Sequence, residues 1–259
     1  MTGRCGLCRG VRELRDSHLL PASVYKLSRS ENRKNPHPVV TTRNGVLISA
    51  RQVSDHFLCV ECEDRFSKNG ERYVVGQCSR PRSFKLRQLL EESEAAAVRE
   101  RFSVYSPSVL GAHVSEYLYF AASVFWRAAA RTWRFDNQTT GITLGSQHQE
   151  AFRRYLLGEA QFPEHARLFM HVWSDKDADF TTVFPCSNRT DGKWRHKFCI
   201  PGILFILFVG KESASEADYG ALNSSDNPLV WLCPWEDDSL FRGFARLVTS
   251  APVKSPELS

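Results

Sequence analysis

The chain of 259 residues has no apolar run of the roughly 18–20 residues that a membrane-spanning helix needs. Its two longest candidates are cut short. Tyr117–Trp126 runs straight into Arg127 and Arg131, and Ile200–Val209 is interrupted by Pro201 and Gly202. The opening "MTGRCGLCRGVREL" lacks an apolar segment behind its basic residues, so no secretory leader is expected. Internal repeats and low-complexity tracts are also missing, which argues against a solenoid or a disordered linker. These absences lead to the expectation of a soluble, cytoplasmic globular protein with no membrane partner.

Acid is scarce at the start of the chain. Residues 1–53 hold ten Lys/Arg against three Asp/Glu, residues 54–103 hold nine of each, and residues 104–259 hold fifteen against seventeen. The net charge of +5 therefore comes from the first fifth of the sequence, which alone carries +7. A phosphate backbone is the commonest partner for such a patch, and a solvated basic face is the alternative.

Eight cysteines in a chain expected to be intracellular read as metal ligands or core thiols before disulfides. Cys5/Cys8 and Cys59/Cys62 form two C-x-x-C pairs, whereas Cys78, Cys186, Cys199 and Cys233 stand singly. Each x-x turn presents two sulfurs, so two pairs can surround Zn²⁺ tetrahedrally. Four thiolates leave no open coordination position, which makes the expected zinc structural.

Between the pairs, "PVVTTRNGVLISA" (38–50) sets Asn44-Gly45 between β-rich flanks and predicts a hairpin. "CVECEDRFSKNGERYV" predicts a short helix starting at Cys59 or Cys62 and stopping at Asn69-Gly70. Knuckle, hairpin and helix in that order are the layout of a treble-clef finger. Further helices are predicted over 83–102, over 113–133 (apolar nearly all round, hence central) and from Ser146 to Gly158 with a Ser146/Gln149 capping box. "SVYSPSVLG" (103–111) reads as a boundary.

From Arg167 the period changes to short β-type runs, "RLFMHVWSD", "DFTTVFPCS", "WRHKFCIPG", "ILFILFVG" and "PLVWLC", with a turn at Asp191-Gly192. A last helix is predicted in "DDSLFRGFARLV", and "VKSPELS" reads as a frayed tail. The expected fold class is α+β. A treble-clef zinc module over 1–80 is followed over 81–259 by a helical segment and an α+β domain with an antiparallel sheet.

The residues "CGLC … SHLLP … LCVECE" resemble the HNH endonuclease superfamily in its zinc-stapled ββα-metal form, over about residues 5–75. The SHxxP…LCxxCE pattern is similar to a divergent bacterial subfamily of it. The resemblance implies Cys5, Cys8, Cys59 and Cys62 as structural zinc ligands. It implies His18 as the general base that activates water, and Glu63 as the ligand of a catalytic Mg²⁺ or Mn²⁺. An imidazole near its ordinary pKa suits a base at neutral pH, and a hard cation prefers carboxylate oxygen.

Two positions depart from the pattern. Ser17 stands where an acid normally precedes the base, and Ser54 and Asp55 stand near the position of a bracing Asn. Asp16, one residue before Ser17, would point to the face opposite Ser17 on a strand. Two functions are therefore carried forward. One is a metal-dependent endonuclease acting on nucleic acid, DNA more than RNA. The other is a catalytically degenerate zinc finger that binds nucleic acid or a protein, with residues 104–259 available for a protein partner. His56 reads as a strand residue of "DHFLC". Trp126-Arg127, His165, His171 and His196 stand alone and read as core or surface residues, and "GKWRHKF" offers a weak cationic and aromatic run.

Overall fold

The computed structural model describes residues 1–29, 39–42, 45–48, 51–80, 83–135, 138–176, 181–190, 193–210, 220–224, 228–237 and 253–254. Strands β1 (Thr2–Arg4) and β2 (Val11–His18) flank the first cysteine turn, and helix α1 (Ala22–Leu27) follows Pro21. Strands β3 (Val39–Thr42) and β4 (Gly45–Ile48) pair antiparallel, so the expected hairpin is present. Thr42 pairs with Gly45, and Asn44 of the predicted turn lies outside the described residues. Strand β5 (Ser54–Cys59) pairs with β2 and leads into α2 (Val60–Phe66). Knuckle, hairpin and helix thus occur in the order expected of a treble clef.

The predicted stop at Asn69-Gly70 does not occur. A π-helical turn (Ser67–Glu71) carries α2 into α3 (Arg72–Gln77). Gly70 serves close approach instead of termination: a Cβ there would lie 2.8 Å from the Glu116 carbonyl oxygen and 2.9 Å from the Phe120 nitrogen. The helix predicted over 83–102 is also corrected. Only α4 (Lys85–Glu91) forms, followed by strands β6 (Ala97–Val98) and β7 (Ser103–Tyr105). Glu91, Glu92 and Glu94 crowd the negative end of the helix dipole, which opposes extension. The stretch 103–111 holds β7 and a 3₁₀ helix (Pro107–His113).

The central helix α5 (Val114–Ala130) is buried on most of its surface, as its apolar composition indicates. Trp133, assigned to it by sequence, instead begins β8 (Trp133–Phe135), which pairs with β9 (Gln138–Thr140). Helix α6 (Ser146–Leu157) ends at Gly158 in the left-handed conformation, as expected. The capping box does not form, because Gly145 is the N-cap and no side chain caps the helix.

Strands β10 (Ala166–Trp173), β11 (Val183–Thr190), β12 (Lys193–Ile200), β13 (Ile203–Val209) and β14 (Val230–Cys233) match the five predicted runs. The two-residue connection between β12 and β13 uses Gly202 at φ +84. With β7 and β6 they build a seven-stranded sheet ordered β11-β12-β13-β10-β14-β7-β6. Its pairings are antiparallel except β10 with β14, which run parallel. The class is α+β. The helix expected in "DDSLFRGFARLV" and the Asp191-Gly192 turn lie outside the described residues. Val253–Lys254, read as tail, form β15, paired parallel to β4.

Helix α5 lies between the sheet and the cysteine-bearing module. Phe120 and Phe125 meet Phe198 of β12 at ring-centroid distances of 6.0 and 4.9 Å. Toward the module, Trp126 stacks on Phe57 at 5.6 Å and meets Phe66 edge-on at 6.1 Å. One buried core therefore runs from Cys5 to Leu232.

Burial beside His148 pushes the His196 imidazole down from its ordinary 6.5 to about 4, and its Nδ1 is 2.7 Å from the Ser187 hydroxyl. The folded pKa is the lower one, so the unfolded chain takes up the proton first. Stability from His196 is complete above about pH 6.5 and is lost as pH falls toward 4, by about 3 kcal/mol in all. Urea midpoints should fall over that window, and His196→Leu should flatten the decline. An equally steep decline in the variant would refute the assignment.

Candidate metal centre and its surroundings

The first knuckle is built by backbone geometry. The Cys5 N–H donates to the Gly10 carbonyl and the Arg9 N–H to the Cys5 carbonyl, both at 2.9 Å, and Arg9 turns the chain at φ +63. Gly6 is required here: a Cβ would sit 2.1 Å from the Phe57 ring. Its N–H donates to the Phe57 carbonyl at 3.0 Å, which ties the knuckle to β5. The second pair straddles the junction of β5 and α2, with Cys59 ending the strand and Cys62 in the first turn of the helix.

The four sulfurs, one from each of Cys5, Cys8, Cys59 and Cys62, all lie within 4.8 Å of one another. A tetrahedron with Zn–S of about 2.3 Å has sulfurs about 3.8 Å apart, and the Cys8 and Cys59 sulfurs are 3.9 Å apart. Cys5, Cys59 and Cys62 are buried and Cys8 is exposed. The arrangement and the donor chemistry fit, so this cluster could hold a metal ion such as zinc.

Its electrostatics point the same way. A hydrogen bond from Cys62 pulls the Cys5 thiol down to about 4, and burial pushes Cys59 up to about 12. The bond to Cys5, followed by burial, raises Cys62 as well. Four thiols this close cannot all ionise against their mutual repulsion unless a cation joins them.

The structure places His18 at the end of β2, half-buried, with its ring 6.2 Å from Tyr25. Its backbone carbonyl accepts a 3.0 Å bond from Arg127 Nη1. Ser17 is 1 % exposed and serves a β-bulge: where the β2–β5 register shifts between Arg15 and Asp16, its hydroxyl accepts the Leu58 N–H at 3.0 Å. Asp16 is exposed. Asp55 is held by Arg131 Nε at 2.8 Å. Glu63 sits on α2 beside Cys62, and its Oε1 is buried without a hydrogen-bond partner among the described residues. Among the described residues, the four cysteines are the one group of three or more His, Cys, Asp or Glu side chains gathered closely enough for a metal.

Sequence reasoning left Arg127 as an isolated residue, whereas it packs against the end of β2 through the His18 carbonyl. It is 1 % exposed, and its Nη2 pairs with Glu71 at 2.6 Å while its guanidinium lies over the Phe66 ring at 5.2 Å. Burial raises the Glu71 carboxyl above its ordinary range despite the guanidinium beside it, and the charge of Glu63 adds to the rise. The available signal was a lone cation inside "VFWRAAA": a charge in an all-round apolar helix must find a partner. No family model matches the chain, and no curated protein or solved structure matches it.

Replacing Ser17 tests the role of the bulge. Ser17→Ala leaves the Leu58 N–H unpaired and should cost about 1–3 kcal/mol. Ser17→Asp buries a carboxylate and should cost more, read as a larger drop in the denaturant midpoint. An Asp variant as stable as the parent would show a position open to solvent or metal.

Proposed function

We propose that this chain is a zinc-stapled, nucleic-acid-binding protein of HNH-like build whose role is binding without hydrolysis. The gathering of the four cysteines carries the structural-zinc half of this reading. The metal organises residues 1–80 as a module carried on residues 81–259, and its ligand shell is closed. The basic face carries the binding half. Arg4, Arg9, Arg12 and Arg15 are exposed on and beside the first knuckle, and Lys26 and Arg29 are exposed on and after α1, against Glu13, Asp16 and Glu61. Such a face suits a phosphate backbone, DNA more than RNA as the family resemblance implies.

The HNH resemblance needs a base and a metal-binding acid on a common site. Ser17 is buried in the bulge where the pattern has an acid, and Asp55 is paired with Arg131, which favours the reading without hydrolysis. One observation favours the second reading, hydrolysis with His18 as base and Glu63 on Mg²⁺ or Mn²⁺: the buried, unpartnered Glu63 oxygen is a carboxylate atom suited to a hard cation.

Both readings meet in one experiment on purified, zinc-loaded protein. Double-stranded DNA should bind with affinity that falls as salt rises, since each neutralised phosphate contributes about 0.9 to the log–log slope. Arg12→Glu with Arg15→Glu should weaken binding at least about tenfold, and His18→Ala should leave it unchanged. No cleavage is expected in Mg²⁺ or Mn²⁺. Cleavage lost in both His18→Ala and Glu63→Ala would replace this reading with the nuclease, and no binding at low salt would remove both.

A further inference from the structure

The knuckle that presents Cys5 and Cys8 is gripped from outside by helix α6, more than 130 residues away in sequence. Arg153 Nη1 donates to the carbonyl of Leu7, the residue just before Cys8, at 2.9 Å. The same guanidinium is fixed by Glu150 through two bonds, Nε to Oε2 at 2.9 Å and Nη2 to Oε1 at 2.8 Å. Glu150 also receives Arg9, the residue that turns the knuckle in the left-handed region. The Arg153 side chain is 13 % exposed, so this is no loose surface pair.

The helix reaches the second cysteine pair as well. Arg65, on α2 three residues beyond Cys62, donates from Nη1 to the Leu157 carbonyl at the last residue of α6, at 3.2 Å. Tyr119 of α5 donates to the neighbouring Leu156 carbonyl at 2.7 Å, and Phe152 and Leu156 bury the inner face of α6. One helix therefore bonds the turn of the first pair and the helix of the second.

We infer that Arg153 is a positioning residue of the metal centre, and that α6 clamps the two cysteine pairs into the geometry that retains the ion, holding the first through Arg153 and Glu150 and the second through the bond of Arg65 to the Leu157 carbonyl. This rests on the zinc reading of the four cysteines proposed above. Four thiolates on Zn²⁺ leave the site with a net charge of −2, and a fixed guanidinium bonded between Cys5 and Cys8 offsets part of it. It also holds the one ligand that is exposed, Cys8, through the carbonyl before it. Outer-shell partners of this kind commonly alter metal affinity 10- to 100-fold when removed.

The test uses the full-length protein loaded with zinc and measures the rate of zinc release to a chromogenic chelator. Arg153→Gln should release zinc at least about tenfold faster. Arg153→Lys, which keeps the charge but loses the fork, should restore part of the retention. Arg154→Gln, on the neighbouring and exposed side of the helix, should match the parent. If Arg153→Gln yields no folded protein, Glu150→Gln takes its place and should also release zinc several-fold faster. Release within twofold of the parent in the folded variant, or no rescue by Lys relative to Gln, overturns the inference while leaving the zinc reading intact. A parent protein that binds no zinc overturns both.

Discussion

Four sulfurs drawn within 4.8 Å of one another are the constraint on which the first third of the molecule depends. The chain brings them together from two turns 51 residues apart, using backbone bonds in the first and a strand-to-helix junction in the second. Neutral thiols at that spacing gain little, and thiolates repel. A divalent cation would make the arrangement favourable, and its affinity would then be coupled to the folding of this region. The small strands β1, β2 and β5 have a modest apolar interior of their own and lean on α5 through Phe57 and Trp126.

The second organising element is the polar seam between α5 and the module. Arg127 places a cation in a helix otherwise packed with aromatic and aliphatic side chains, and that cation is matched on both sides, by Glu71 and by the His18 carbonyl. Breaking such a buried pair by removing one partner leaves a charge without compensation, which is far costlier than losing a surface pair. The seam therefore fixes the end of β2 against the core. The π-helical turn brings Glu71 to that position, and Gly70 lets the two helices approach closely enough for the bond to form.

Much of this was legible in the sequence, and the failures have specific physical causes. The C-x-x-C spacing located the cysteine cluster, and period-two runs located all five strands from β10 to β14. Gly70 was misread as a stop because a glycine near a helix end and a glycine at a helix crossing look alike in one dimension. The 83–102 segment looked helical by composition, yet its acids sit at the wrong end of a dipole and its second half forms β6, which pairs with β7, itself paired with β14 over 120 residues later. Ser17 read as a substituted acid, and only the β-bulge explains why a hydroxyl belongs there. Arg153 gave only the local signal of a helix pair with Glu150, and its bond to the Leu7 carbonyl has no sequence signature.

The central claim is that Cys5, Cys8, Cys59 and Cys62 form a closed zinc centre. X-ray absorption at the zinc edge of the purified protein tests it most directly. The account predicts one zinc per chain surrounded by four sulfurs at about 2.3 Å, with no nitrogen or oxygen in the first shell. A metal-free protein that keeps its fold, or a shell containing oxygen or nitrogen, would contradict it.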